Sequence, residues 1–225
     1  MKAKVTRSAR YSKVFSAVLA LQSLALLLVN AAALASEARL VRDPRVSLDT
    51  LRTEHRVQLS VDKRGGVYRI DASAVLVGTQ LERLRSASAD FDRYTKMGMP
   101  NLIASKVVQR SGQTVWTWSH LSTSGQTSKH YYEVHLLPEG STWFQVPRRA
   151  PWTDEDDSAF SLNEGSWYME PQSDGSIYVR YFLALQIDTA IPEFIVDMVA
   201  GQKLAKGVRD VVRVLARDAG AEPVN

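Results

Sequence analysis

The densest group of titratable side chains in this 225-residue chain is His130-Tyr131-Tyr132-Glu133-Val134-His135. On an extended strand successive side chains alternate between faces, so Glu133 and His135 share one face while His130 points to the other. Three-ligand metal binding there would need a bulge, and the expected reading is histidines on a half-exposed strand, with no metal and no cofactor assigned. A nucleophile is no better marked. The chain has no cysteine and no G-x-S-x-G turn, and nothing selects the remaining histidines, His55 and His120, as the base of a triad. The acidic run Asp154 to Asp157 reads as a solvated loop and not as a pair of catalytic carboxylates. No catalytic residue is therefore assigned, and if the chain were an enzyme the polar groups to consider would be His120, Arg180 and Glu164.

The aromatic residues say more. Trp116 and Trp118 fall on one face of a single strand, with Tyr132, Trp167, Tyr181 and Phe182 on neighbouring ones. Side chains of this kind either fill a core or line an apolar cavity.

The elements that must position them are legible from periodicity. Residues 55–61 and 67–77 read as two strands joined by Asp62-Lys63-Arg64-Gly65-Gly66, whose paired glycines suit a hairpin turn. From Thr79, a plausible N-cap, the period becomes helical, with Leu81, Leu84, Ser88 and Phe91 on one stripe, until Gly98 and Pro100 end it. Six strand candidates follow, at 103–110, 114–121, 129–137, 142–146, 160–170 and 176–187, the pattern of an antiparallel meander. In the last of them Val179, Tyr181, Leu183, Leu185 and Ile187 share one parity, so one face is core. A terminal amphipathic helix then runs from about residue 191 to 217, close to 40 Å at 1.5 Å per residue, and stops at Gly220. Gly201 and Gly207 inside it hint at a close contact.

Ahead of the fold, Met1 to Lys13 carries Lys2, Lys4, Arg7, Arg10 and Lys13 and no acid. An apolar run from Val14 to Val29 follows, and then Ala33-x-Ala35. These are the three parts of a cleaved secretory signal, expected to occupy 1–35 and to place the mature protein in the periplasm or outside the cell. The bland rival is an uncleaved membrane anchor. Loss of five basic residues from a chain of net charge +4 leaves about −1, which removes the case for a nucleic-acid partner. Without cysteines, stability rests on an apolar core. Residues 36–54 read as an arm or linker with room for one short helical turn, 55–220 as the domain and 221–225 as a tail.

The order of elements resembles the helix-grip fold of the START and polyketide-cyclase (SRPBCC) superfamily, nearest its coenzyme Q-binding branch. The segments that carry the resemblance are Ala89-Asp90-Phe91-Asp92-Arg93-Tyr94-Thr95-Lys96-Met97-Gly98-Met99-Pro100, Gly165-Ser166-Trp167-Tyr168-Met169, Asp174-Gly175 before the last strand, and Ile191-Pro192-Glu193-Phe194 opening the last helix. It implies an α+β domain in which an antiparallel sheet of about seven strands wraps a long C-terminal helix, leaving a cavity between them. On that reading Tyr94, Met97, Trp116, Trp118, Tyr132, Trp167, Tyr181, Phe194 and Met198 are the ligand-binding candidates. Phe91 to Pro100 would be a lip facing the helix near Met198, and the partner would be an apolar small molecule or lipid reached through transient membrane contact. A cyclase-like or hydrolytic enzyme and a cavity-free protein-interaction module are the alternatives.

Overall fold

The computed structural model describes residues 40–123, 126–187 and 193–224, with 123, 126 and 193–201 described by backbone alone. The expected signal, and the side chains of Phe194 and Met198, lie outside the described residues.

A short helix, α1 (Leu48–Glu54), precedes the first hairpin, β1 (Gln58–Arg64) and β2 (Val67–Leu76). The hairpin closes in two residues because Gly65 and Gly66 take φ of 58° and 77°, the left-handed conformation such a turn requires and glycine adopts without strain. Two helices follow, α2 (Leu81–Ala89) and the single turn α3 (Tyr94–Met97), which ends at Gly98 with φ 79°. Thr79 does not cap α2. Gln80 holds the N-cap position, and the Thr79 hydroxyl instead donates to the carbonyl of Ala219, 2.7 Å away. The meander is β3 (Leu102–Ser111), β4 (Thr114–Thr123), β5 (Gln126–Leu137), β6 (Gly140–Val146), β7 (Phe160–Pro171) and β8 (Ile177–Ile187). The last element is α4 (Glu193–Asp218).

All eight strands form one antiparallel sheet, one more than the seven expected, in the order β1-β2-β8-β7-β6-β5-β4-β3. The chain therefore leaves β2 near one edge, travels through α2 and α3 to the far edge at β3, and folds back strand by strand until β8 pairs with β2. The inner face carries the core. Val208, Val212, Leu215 and Ala216 form one stripe of α4, continued by Ala219 just past its end, and cluster with Ile70, Ala72, Ala74 and Leu76 of β2 and with Ile177 and Val179 of β8. Each fully buried valine or leucine contributes roughly 1.5–3 kcal/mol.

The end of α4 is fixed with particular care. Gly220, at φ 78°, lets its own N–H reach the carbonyl of Arg217 (3.0 Å) and that of Ala221 reach Ala216 (2.9 Å), a Schellman closure. The N–H of Glu222 then donates to Val77 (2.9 Å), and Val224 is buried. The five terminal residues thus include packed ones, unlike the tail expected from the sequence.

The segment expected to be an arm also differs. Leu51 of α1 is fully buried on the outer face of the sheet against Val75 and Tyr178, with Val46 and Leu48 beside it. The Ser47 hydroxyl accepts from the N–H of Thr50 to start that helix, and Arg52 pairs with Asp174 at 2.9 Å. Charges at 43, 45, 49 and 52 mask, in the sequence, an apolar stripe only one residue wide. Truncation by Leu51→Ala is expected to lower the unfolding free energy by about 2–5 kcal/mol in urea denaturation, because it opens a cavity. An unpacked arm would give less than about 0.5 kcal/mol.

Candidate functional site

Antiparallel pairing without slippage carries one parity of residues across the whole sheet. From β2 through β8 to β4, the residues facing α3 and α4 include Ile70, Ala72 and Ala74; Val179, Tyr181 and Leu183; Asn163, Gly165 and Trp167; Trp143; His130, Tyr132 and Val134; and Val115 and Thr117. No Asp, Glu, Lys or Arg stands at an inward position of these six strands among the described residues. The opposite parity carries Asp71, His120, Glu133, His135, Glu164 and Arg180.

Aromatic rings gather on the inner face. Tyr181 stacks on Trp143, with ring centres 5.4 Å apart and planes 26° apart, and also meets Trp167 at 4.5 Å. Trp143 can lie there because its neighbour across the strand pair is Gly165. A Cβ at that position would collide with the Trp143 ring and with the carbonyl oxygen of Phe182. Tyr94 arrives from α3, with its ring edge-on to Phe91 at 5.2 Å and its hydroxyl donating to the carbonyl of Ser88. Burial holds the Tyr94, Tyr132 and Tyr181 hydroxyls far above the usual phenol range, and the proximity of Tyr181 adds to the first two. All three stay protonated at any physiological pH.

One polar chain crosses this apolar surface. Asn163 Nδ2 lies 2.7 Å from the Tyr132 hydroxyl, which lies 2.7 Å from His130 Nε2. His130 Nδ1 lies 3.1 Å from Ser128 Oγ. The directions follow from what each atom can do. An amide nitrogen only donates, so Tyr132 accepts from Asn163 and gives its single proton to His130 Nε2. The neutral imidazole then carries its hydrogen on Nδ1 and donates to Ser128, which also accepts from the N–H of Ala159 (2.9 Å). His130 has no solvent exposure, and its burial pushes the imidazole down to about 4, so it is uncharged near neutrality.

The sequence-derived candidates divide between the two faces. Tyr94, Tyr132, Trp167 and Tyr181 come together on the inner face. Met97 is buried in the main core beside them, against α4. Trp116 and Trp118 do not join them, because Trp118 pairs with Tyr131 and it is Thr117 that stands opposite Tyr132. They occupy the outer face with Phe182 and hold down the 147–157 loop. Trp116 donates to Glu133 (2.8 Å), Trp118 donates to the carbonyl of Glu155 (2.9 Å), and the Arg149 guanidinium lies 4.7 Å from Trp116 and 4.6 Å from Trp152. Trp152 in turn stacks on Tyr131 at 4.9 Å, so the acidic loop is packed down and not merely solvated. His120, Arg180 and Glu164 are outer-face residues as well. Arg180 pairs with Asp71 at 2.5 Å and donates to the carbonyl of Val41 (2.9 Å).

Sequence reasoning missed Trp143 and Asn163 and left His130 out of the site. The shared parity of His130 and Tyr132 was the available signal. Whether the 91–100 segment faces Met198 lies outside the described residues. Met97 and Met99 are buried, and the described contacts of this segment with α4 include its far end, where Arg217 donates to the carbonyl of Met97 (2.6 Å) and Arg93 meets Asp218 (3.2 Å). A Cβ on Gly207 would meet Asn101 at an ordinary 3.5 Å, so tight packing does not require that glycine.

An open antiparallel sheet closed by a long terminal helix on its inner face defines the helix-grip architecture of START-type proteins, and the chain has that α+β fold. Its likeness to solved structures is of this kind. Human StAR-related lipid transfer protein 5 superposes with a TM-score of 0.57 at 12% identity, covering 88% of this chain and 98% of that one. The STAR-related lipid transfer protein from Xanthomonas axonopodis gives 0.55 at 12%, covering 73% and 98%. The Zhui aromatase/cyclase from a Streptomyces species gives 0.54 at 12%, covering 68% and 93%. Identities this low carry the fold and do not single out the coenzyme Q-binding branch. No protein-family model and no curated protein sequence matches the chain.

Burial of His130 has a pH signature. The unfolded imidazole takes up a proton near pH 6.5 and the folded one only near 4, so the unfolded state binds the extra proton throughout that window. This contribution is absent above pH 6.5 and destabilises progressively as pH falls to 4, reaching on the order of 3 kcal/mol. Urea denaturation of the wild type and of His130→Gln across that window should show the variant losing less stability toward low pH. Parallel pH profiles would show that His130 is not held neutral.

Proposed function

We propose that the protein binds an uncharged apolar small molecule or lipid in a cavity between the inner face of the sheet and α4, and acts as a carrier or sensor without altering the ligand. The carrying observation is the inner face itself. Six strands present no charged side chain toward the helix, and Tyr94, Tyr132, Trp143 and Tyr181 remain only partly buried there, although they lie between the sheet and the elements that cover it. A fully packed core would seal such rings, whereas a ligand site leaves them apolar surface to offer. The polar groups weighed for an enzyme, His120, Arg180 and Glu164, face the other way. The lipid-transfer proteins among the structural neighbours agree with a binding role, and the aromatase/cyclase among them keeps catalysis on the same fold in view.

The reading includes export. The basic stretch, apolar run and Ala33-x-Ala35 support cleavage after Ala35, with the ligand met at a membrane surface on the far side of the export route.

Native mass spectrometry of the purified full-length gene product should detect co-purified lipid as mass increments that vanish on denaturation. A bare protein mass that does not change after incubation with lipid extract would remove the carrier reading. N-terminal sequencing of the same material should begin at Ser36, and a membrane-bound product beginning at Met1 would replace the cleaved signal with an anchor.

A further inference from the structure

The polar chain on the inner face is built in one direction, and its free end is the informative part. Every proton in it has been assigned: Asn163 donates to Tyr132, Tyr132 to His130, and His130 to Ser128. Ser128 is further held by the N–H of Ala159 and lies 3.5 Å from the carbonyl of Asp157, so that end is closed against the backbone. The Asn163 end is open. Its side chain is nine-tenths buried, yet it uses only one amide hydrogen, and its carbonyl oxygen and second amide hydrogen have no protein partner among the described residues. The carbonyl oxygen is not among the fully buried polar atoms that lack a partner, so this edge stays reachable by water, and a ligand group that replaces that water must make the same bonds.

The orientation of that amide follows from the other end of the chain: the Ser128 hydroxyl gives its proton to the carbonyl of Asp157 (3.5 Å) and so accepts from His130 Nδ1, which leaves His130 Nε2 to accept from Tyr132. Turned the other way, Asn163 would set its carbonyl oxygen against the Tyr132 hydroxyl, whose proton is already committed to His130. The free edge therefore presents one donor and one acceptor side by side. The partner that fits it also donates and accepts. An ion does not fit, because no inward position of the surrounding strands carries an opposite charge, and an unpaired ion buried there would lose its hydration without compensation.

We infer that the amide edge of Asn163, oriented by Tyr132 and His130, is the recognition point for the polar end of the ligand, and that this end is an uncharged group able both to donate and to accept a hydrogen bond, such as an alcohol. The inference rests on the proposed cavity and adds a head-group rule to it: a single hydroxyl-like group on an apolar body is taken, while a carboxylate or an ammonium on the same body is refused.

The test uses the full chain and a set of twelve-carbon probes differing only at the head, namely dodecane, dodecanol, dodecanoate and dodecylamine. Each competes with the neutral fluorophore phenylnaphthylamine. Dodecanol should compete about tenfold more strongly than dodecane, the yield of one well-made hydrogen-bonding contact, and the two ions more weakly than dodecanol. In Asn163→Leu the ratio of dodecanol to dodecane competition should fall to about one, and a far-ultraviolet circular dichroism spectrum like that of the wild type reports that the variant is folded. Should that variant fail to fold, Tyr132→Phe, which frees the amide to turn, should reduce the preference in the same direction. Equal competition by dodecane and dodecanol in the wild type, a preference that survives Asn163→Leu, or tighter binding of either ion would overturn the head-group rule and leave the cavity standing. A wild-type protein that binds neither the fluorophore nor any probe would overturn the cavity and the rule together.

Discussion

The structure depends on one constraint, the strict alternation of side chains along paired antiparallel strands. Because β2 and β4 to β8 pair with one shift in register among them, near Phe160 at the start of β7, a choice of parity made in one strand is transmitted to all the others. Charge is confined to one side and aromatic surface to the other. Everything described on the inner face, from the stack of Trp143 on Tyr181 to the chain through Asn163, Tyr132 and His130, exists because these residues share a parity across strands distant in sequence. A slip of one residue in β5 alone would turn His130 and Tyr132 outward and bring Tyr131 and Glu133 in.

The same constraint explains what the sequence could and could not reveal. Strand and helix boundaries followed from periodicity within a segment, and most observed elements lie within a few residues of the expected ranges. Parity within a strand was equally legible: Trp116 with Trp118, and Glu133 with His135 but not His130. Parity between strands was not. Whether Trp116 joins Tyr132 or turns its back on it depends on the β4–β5 register, and a slip of one residue would have reversed the answer. Composition misled at the ends of the domain for another reason. In α1 Leu51 is the one fully buried residue, with Leu48 packed beside it among charged neighbours, and an average over the segment dilutes them.

The outer face uses its aromatic residues in a different way. Trp116, Trp118, Tyr131 and Trp152 are used to fasten the 147–157 loop, each ring supplying both apolar area and a polar edge or a cation contact. The inner rings make few such bonds. Trp143, Trp167 and Tyr181 meet one another within the apolar core of the inner face, a difference in chemistry between two sets of aromatics.

The attachment of α4 has a mechanical consequence. Its last turn is bonded at separate points, by Thr79 to Ala219, by Glu222 to Val77, and by Arg217 and Asp218 to the 93–97 region. The helix thus has a built-in C-terminal end. For a tilt against the sheet that pivots at 216–219, the displacement grows with distance from that pivot, reaching its largest value some 37 Å away at Glu193 for a rise of about 1.5 Å per residue. A rotation of a few degrees about such a pivot would shift the distal end by an ångström or two and leave the packed stripe from Val208 to Ala219 nearly undisturbed.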